Sequence, residues 1–160
     1  MLITSENFKQ CLSRFATGVC IVSAEDSINK EIIGVTISSF TSVSLKPLLI
    51  LFCISKNYYS HQIFTKEKCF VVSILNENQK EISKNFAKHT IDKWDGIKII
   101  NSQILKLPLI QGSIAYLECN KYAEYDGGDH TIFVGEVINS EILSQEKPLI
   151  HYKSGYYSLK

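Results

Sequence analysis

The sequence lacks the features that mark membrane, secreted and nucleic-acid-binding proteins. Three prolines and eight glycines in 160 residues are too few for a linker-rich or collagen-like chain. No apolar run approaches the ~18 residues of a membrane span, and the first residues lack the basic start and apolar stretch of a signal peptide. The 17 basic and 16 acidic residues leave a net charge of +1, without the basic surplus of a nucleic-acid groove. We therefore expect no membrane partner and no nucleic-acid partner.

Metal-binding and disulfide patterns are missing as well. The five cysteines are odd in number, and no two have the CxxC spacing of a zinc or redox site. Free thiols of this kind are typical of the reducing cytoplasm. The four histidines are far apart in the sequence and do not show the spacing of metal ligands. We expect a cytoplasmic protein without a metal site.

The composition is that of a folded chain. Hydrophobic residues make up 45% and charged residues 21%, which argues against intrinsic disorder. A length of 160 residues suits one domain, since domains most often hold about 100–150 residues. We expect a single domain over residues 1–160.

The spacing of apolar residues predicts more strands than helices. Helices are predicted over 6–15, capped by Ser5, over 58–65, and over 77–88, where Asn76 and Gln79 form a capping-box pattern. Strands are predicted over 18–24, 32–38, 48–54, 70–75, 113–125, 131–143, 149–152 and 156–159, with a turn at 126–129, a pivot near Gly155 and a loop-rich segment at 89–109. Because the strands do not alternate with helices, an antiparallel barrel with flanking helices is favoured over a doubly wound sheet.

The usual catalytic motifs for phosphate loops, nucleophile elbows, zinc proteases and dinucleotide folds do not occur. The chemistry is therefore expected to belong to a bound cofactor that the protein positions. A first candidate segment, residues 34–44, crowds serine and threonine hydroxyls at the end of a predicted strand. Hydroxyls and free amides there can hold a phosphate or a polar heterocycle. The alternative is a solvated strand face.

Two further segments could bind a ligand. Residues 55–60 follow an apolar strand and open a helix, so their amides could face an anion, with Lys56 adding charge and Tyr58 or Tyr59 stacking on a ring. The alternative is an ordinary helix start. In residues 127–137, Asp129 and His130 adjoin two glycines, and the carboxylate favours the charged imidazole. The alternative is a hairpin turn with a solvent-exposed histidine.

Seven motifs occur in order: FATGV, GVTISSF, SVSLKP, FVVSIL, GDHTIFVGEV, PLIHY and GY. Together they resemble the short-chain flavin reductase family, which has the FMN-binding split-barrel fold and includes reductase components of two-component flavin monooxygenases. The resemblance implies a mainly β protein, an antiparallel Greek-key split β-barrel with flanking helices, that forms a homodimer. It also implies hydride transfer from NADH or NADPH to FMN, with FAD as a further substrate, and release of reduced flavin to a separate monooxygenase.

The resemblance also assigns site residues. His130 is implied as the catalytic residue on the nicotinamide side, with Tyr152 and Gly155 near it. The implied flavin-binding residues are Gly34, Val35, Thr36, Ile37, Ser38, Ser39, Phe40, Cys53, Ile54, Ser55, Lys56, Asn57, Tyr59, Ser60, Asn85, Phe86 and Ala87. The single arginine, Arg14, favours NADH over NADPH, because a 2′-phosphate is often held by arginine.

Two other functions stay open from the sequence. One is a protein that retains FMN as a prosthetic group and passes electrons to a protein or ferric acceptor. The other is a non-catalytic flavin-binding module built on the same barrel.

Overall fold

A computed structural model describes residues 2–90 and 92–160, with most of the regular structure in β-strands. The helices are α1 (Ser5–Leu12), α2 (Tyr59–Lys66) and α3 (Lys80–Phe86). The strands are β1 (Thr17–Gly18), β2 (Cys20–Glu25), β3 (Ile32–Ile37), β4 (Thr41–Leu45), β5 (Leu48–Ser55), β6 (Cys69–Ile74), β7 (Ile99–Asn101), β8 (Pro108–Ile110), β9 (Ala115–Gly127), β10 (His130–Ile142), β11 (Ile150–Tyr152) and β12 (Gly155–Tyr157).

Seven antiparallel strands form the main sheet, in the order β3-β2-β6-β9-β10-β5-β4. Strand β5 alternates buried and less buried residues, as expected for a strand with one face on the core. The sheet curls so that β3 approaches β5, yet these two strands do not pair. A seam is therefore left between them, and the predicted split antiparallel barrel is confirmed.

Four phenylalanines fill the inside of the curled sheet: Phe52, Phe64, Phe70 and Phe133. The ring of Phe52 stacks on Phe133 with centroids 5.5 Å apart and meets Phe70 edge-on at 5.0 Å. Both arrangements are favourable for aromatic pairs. Gly135 of β10 makes room for this packing, because a Cβ there would collide with the Phe70 ring.

A second cluster of buried residues lies outside the barrel. Phe86, at the end of α3, is fully buried there and meets Trp94 edge-on, with ring centroids 4.7 Å apart. Ile21 and Leu149 belong to the same cluster, so it joins the main sheet to the C-terminal segment. This packing holds α3 beside β3, the strand at one side of the seam.

The predicted helix limits need correction at two helices. Helix α1 is capped by Thr4, whose hydroxyl accepts the amide of Asn7 at 3.2 Å, so the prediction of Ser5 as the cap was wrong. Helix α3 begins at Lys80 and not at residue 77. The contact expected of a capping box does form, since the amide of Asn76 donates to Gln79 Oε1 at 3.0 Å. It closes a turn before the helix instead of capping the first helical turn.

The sequence prediction also missed strands. Strand β4 lies in the hydroxyl-rich segment, and β7 and β8 form a two-stranded sheet inside the predicted loop. The predicted hairpin between β9 and β10 is confirmed, with Gly128 at φ +77° in its turn. In the last hairpin the positive φ angles fall on Lys153 and Ser154, whereas Gly155 is already in β12.

The five cysteines are free thiols. Burial raises the pKa of Cys20 to about 12, and burial together with the charge of Glu118 does the same for Cys119. These two cysteines behave as small core residues. Across the described residues, 2–90 and 92–160, no group of three histidine, cysteine or acidic side chains is placed to hold a metal, and no helix is long and apolar enough to cross a membrane.

Candidate active site

A cleft of about 270 Å³ opens at the seam of the barrel. One wall comes from the end of β3 and the residues after it, and the other from the end of β5, Tyr58 and the first residue of β10. The lining residues are Val35, Thr36, Ile37, Ser38, Ser39, Cys53, Ile54, Ser55, Tyr58 and His130. None of them is acidic, and His130 is the one that can carry a positive charge, so hydroxyl, amide and apolar groups dominate the cleft.

Ser39 ties the two walls together. Its hydroxyl accepts the backbone N–H of Cys53 at 2.9 Å and lies 3.3 Å from the carbonyl of the same residue. Burial raises the pKa of the Cys53 thiol, while the hydrogen bond with Ser39 acts in the opposite direction. Cys53 is therefore kept as a neutral thiol in the cleft wall, not as a reactive thiolate.

Thr36 connects the cleft to α3 and to the C-terminal hairpin. Its hydroxyl donates to the carbonyl of Ser83 at 2.6 Å, and the Ser83 hydroxyl is 2.8 Å from the hydroxyl of Tyr156. The Thr36 hydroxyl thus supports the wall of the cleft, and the same chain of contacts reaches β12.

His130 enters the cleft because β10 begins there, directly opposite Ser55 of β5. Its Nδ1 lies 2.7 Å from Asp129 Oδ1, and this contact with His130 lowers the pKa of Asp129. Lys56 fixes the turn in front of the histidine: its amide donates to the carbonyl of Asp129 at 2.9 Å, and its ammonium donates to Gly128 O and to the carboxylate of Asp126. The ring is therefore aimed by a braced turn and an adjacent carboxylate.

Tyr58 forms the corner of the cleft next to α3. Its hydroxyl donates to the carbonyl of Ala87 at 2.9 Å, and its ring stacks on His89 with centroids 4.2 Å apart. The ammonium of Lys93 lies 5.2 Å from the centroid of the same ring. Burial raises the pKa of Tyr58, so its hydroxyl stays protonated as a donor.

Nine of the predicted site residues therefore meet in one cleft: Val35, Thr36, Ile37, Ser38, Ser39, Cys53, Ile54, Ser55 and His130. Lys56 touches the turn that carries His130, and Asn57 is exposed just beyond it. Phe40 packs against the core of the barrel. These three residues surround the cleft without being part of its wall.

The remaining predicted residues lie elsewhere. Gly34, Tyr59 and Ser60 line a separate cavity of about 20 Å³, and the Tyr59 hydroxyl donates to Glu31 at 3.0 Å. Asn85 donates to the carbonyl of Lys93 at 2.6 Å, Phe86 is in the second cluster, and Ala87 is exposed beside Tyr58. Tyr152 and Gly155 face each other in the small sheet of β1, β11 and β12, away from the lining of the cleft.

The sequence offered Tyr58 or Tyr59 as a ring that stacks on a ligand, and the resemblance implied Tyr59 for the site. Tyr58 is the one that lines the cleft, because the helix begins one residue later than predicted and turns Tyr59 outward. Two further residues that support the cleft were not assigned from the sequence. These are Ser83, whose carbonyl accepts the hydroxyl of Thr36, and Lys93, whose ammonium donates to the carbonyl of Gly34. Ser83 lies on the buried side of a mostly polar helix, a weak signal, and Lys93 lies in a segment whose sequence predicts loop.

Comparison with known proteins gives a consistent result. Residues 12–160 match the model of the flavin reductase like domain. An NADH-dependent FAD reductase of Streptomyces globisporus is 42% identical over 130 residues, covering 79% of this chain and 70% of that protein. The reductase component of 4-hydroxyphenylacetate 3-monooxygenase from Thermus thermophilus is 34% identical over 96% of both chains. The solved structure of an NADH:FAD oxidoreductase from Streptomyces globisporus, in complex with NAD and FAD fragments, superposes with a TM-score of 0.91, at 34% identity over 100% of this chain and 97% of that one.

Proposed function

The chain belongs to the flavin reductase like family, and we propose from this premise that it transfers a hydride from NADH to FAD or FMN. The observation that carries the proposal is the seam cleft, where nine residues that the resemblance implies for the site converge, His130 among them. The match extends over residues 12–160, so we treat the whole chain as one flavin reductase domain.

The cleft suits the planar ring of a flavin. Its volume of about 270 Å³ lies just below the roughly 300–1,000 Å³ range of small-molecule pockets, so it fits a ring system better than a whole dinucleotide. Strand β3 is at the end of the sheet, so one edge of its backbone is not paired with another strand and can offer amides to ring oxygens and nitrogens. Hydroxyl groups beside it can meet a phosphate without a strong charge clamp.

The protein's part in the reaction is positioning. A bound flavin supplies the hydride-accepting ring, so no nucleophilic side chain is required. The two walls hold the ligand, and the Asp129–His130 pair presents a histidine at the mouth of the cleft. We assign to His130 the orientation of the nicotinamide, because its ring is aimed by the carboxylate and by the turn that Lys56 braces.

We further propose that the reduced flavin is released to a separate monooxygenase. The neutral lining supports this role, because a ligand recognised by hydroxyls and amides is not held by a fixed ion pair. A protein built to retain FMN or to store flavin would require tighter recognition of the phosphate. The Thermus relative, which is named as a reductase component, supports the same role.

A homodimer is part of the proposal. None of the residues of α1 is buried, and Phe8 and Leu12 on this helix are 53% and 57% exposed, with Phe15 after it at 76%. Exposed apolar surfaces of this kind commonly mark interfaces between proteins. Sedimentation of the purified protein is expected to give the mass of two chains.

The five free thiols support a reducing compartment, and we propose the cytoplasm.

The test of the function combines flavin and nicotinamide with the purified protein. NADH oxidation is followed at the nicotinamide absorbance band with FAD, with FMN and without flavin, and each reaction is repeated with NADPH. Turnover that requires added flavin and is faster with NADH supports the proposal. Protein that stays yellow after dialysis would favour a retained FMN. Flavin binding without NADH oxidation would show a binding module.

A further inference from the structure

Lys93 is a buried lysine behind the wall of the cleft. It lies between α3 and β7 and is 5% exposed. Its ammonium donates to the carbonyl of Phe86 at 3.1 Å and to the carbonyl of Gly34 at 3.3 Å. One side chain thus joins the end of α3 to β3.

The ammonium has no acidic partner within residues 2–90 and 92–160. Burial lowers the pKa of Lys93 to about 8. The carbonyl of Phe86 is at the C-terminal end of α3, where the helix dipole favours a cation. The ring of Tyr58, with its centroid 5.2 Å away, is the other favourable group, because aromatic faces attract cations.

Two of the three groups that meet the ammonium, the ring of Tyr58 and the carbonyl of Gly34, belong to the cleft or adjoin it. Tyr58 lines the cleft, and Gly34 directly precedes the lining residues Val35 and Thr36. A buried charge without a carboxylate is costly, so a role confined to packing would be served as well by an apolar residue. The contacts of Lys93 indicate instead that this residue helps to set the shape of the cleft.

We propose that Lys93 is a positioning residue of the flavin cleft, whose ammonium fixes the ring of Tyr58 and the backbone of β3 at the distance that the flavin requires. The proposal rests on the proposed function, since it concerns the site of the same reaction. Lys93 acts through Tyr58 and Gly34 and does not line the cleft itself.

The charge of Lys93 should be visible as a pH effect. Below pH ~8 the ammonium is charged and holds Tyr58, and above it the neutral amine loses its attraction to the ring. Flavin binding is therefore expected to weaken as the pH rises through about 8. Other ionisable groups are Glu31 and Tyr59, which line the same small cavity as Lys93, and Tyr58 and His89, whose rings stack beside it. Lys88, Asp92 and Asp95 are its neighbours in the sequence. Of these, His89 touches Tyr58 directly, so a His89→Ala variant is measured in parallel.

The experiment measures the dissociation constant of FAD by fluorescence titration from pH 6.5 to 9.5. For the unaltered protein we expect a rise of about tenfold with a midpoint near pH 8, equivalent to ~1.4 kcal/mol. His89→Ala should keep this transition. Lys93→Met should bind FAD at every pH as weakly as the unaltered protein does above pH ~8. Lys93→Arg, which keeps a charge, should bind FAD at pH 7 more tightly than Lys93→Met does. Lys88→Met, which removes an exposed lysine at the end of α3, is the matched control and should behave like the unaltered protein.

A double variant tests whether Lys93 affects flavin binding through Tyr58. If Lys93 acts through Tyr58, then Lys93→Met should change affinity much less when Tyr58→Leu is already present. Additive losses, or a pH-independent affinity of the unaltered protein, would overturn the proposal even where NADH oxidation is normal. The unaltered protein is a sufficient test by itself should Lys93→Met fail to fold, which its circular dichroism would reveal. Absence of flavin binding and of NADH oxidation at pH 7 would reject the proposed function as well.

Discussion

The hydroxyl of Ser39 accepts the amide of Cys53 at 2.9 Å, and this contact joins the segment between β3 and β4 to β5. The two residues are on opposite walls of the cleft, so the hydrogen bond sets the width of the seam. A single neutral hydrogen bond contributes about 1 kcal/mol.

Ser39→Ala is expected to widen the cleft. The flavin dissociation constant should rise about fivefold, because the ~1 kcal/mol that fixed the two walls is lost. Fluorescence titration with FAD measures the change. Ser42→Ala, an exposed serine of β4, is the matched control and should bind as the unaltered protein does. Equal affinity of the two variants would mean that the seam does not depend on this hydrogen bond.

His130→Ala is expected to lower kcat/KM for NADH by about tenfold, because it removes the ring to which we assign the orientation of the nicotinamide. Flavin affinity should stay within about twofold of the original value, since the proposed flavin contacts come from the β3 and β5 walls of the cleft. Asp129→Asn keeps the histidine but loses the carboxylate at 2.7 Å, and should have a smaller effect. A collapse of flavin affinity in His130→Ala would place the histidine on the flavin side.

Glu118→Gln should lower stability and change its dependence on pH. The carboxylate is fully buried and accepts the amides of Ile104 and Leu105 at 2.9 Å and the side chain of Asn139 at 2.9 Å. Burial raises the pKa of Glu118, but hydrogen bonding by Ser102, Asn139 and the two amides outweighs burial and leaves the pKa below its usual value. We expect a loss of about 1–3 kcal/mol at pH 7.

The direction of the pH dependence of stability follows from the lowered pKa of Glu118. Stability from the Glu118 carboxylate is complete above the unfolded value of 4.5 and is lost as the pH falls through the lower folded value. Urea unfolding at pH 7, 5, 4 and 3 measures the free energy of unfolding, which should fall more steeply with decreasing pH in the unaltered protein than in Glu118→Gln. In Glu146→Gln, a change at an exposed position, the free energy of unfolding should depend on pH as it does in the unaltered protein. Parallel curves for the two variants would contradict the prediction.

Gly34→Ala should destabilise the protein by about 1–3 kcal/mol through overpacking. A Cβ at this position would lie 2.6 Å from the Phe86 ring and 2.8 Å from the Trp94 ring, and both rings are held in the second cluster. Gly18→Ala is the control, because nothing lies within 4 Å of its added Cβ. The midpoint temperature of thermal unfolding is measured for both variants and should be lower for Gly34→Ala. Equal midpoints would show that the rings of Phe86 and Trp94 can move aside.

The fold was predictable where the sequence has strong local patterns. The long hairpin of β9 and β10 was found because Gly127 and Gly128 interrupt two runs of strand-forming residues. Strand β4 was missed because four of its five residues are exposed and its serines and threonine are typical of loops. Its pairing with β5 comes from tertiary contacts that leave no local signal.

The site was predictable to a similar extent. The cleft residues of β3 and β5 adjoin strand ends and share recognisable motifs, so they were assigned together. The sequence left open whether Tyr58 or Tyr59 faces the cleft, because one residue of helical phase decides which ring does so. Lys93 was missed because its burial depends on α3 and β3 meeting behind it, and nothing in the surrounding segment indicates that contact.

Trp94 gives the protein an optical reporter of its own. It is the single tryptophan of the chain, it packs on Phe86 and beside Gly34, and it follows directly after Lys93. Its emission is therefore the signal of one defined place, the junction of α3 and β3 behind the cleft. Ligand binding, pH titration and unfolding of this junction can be followed on the native protein, without an attached dye.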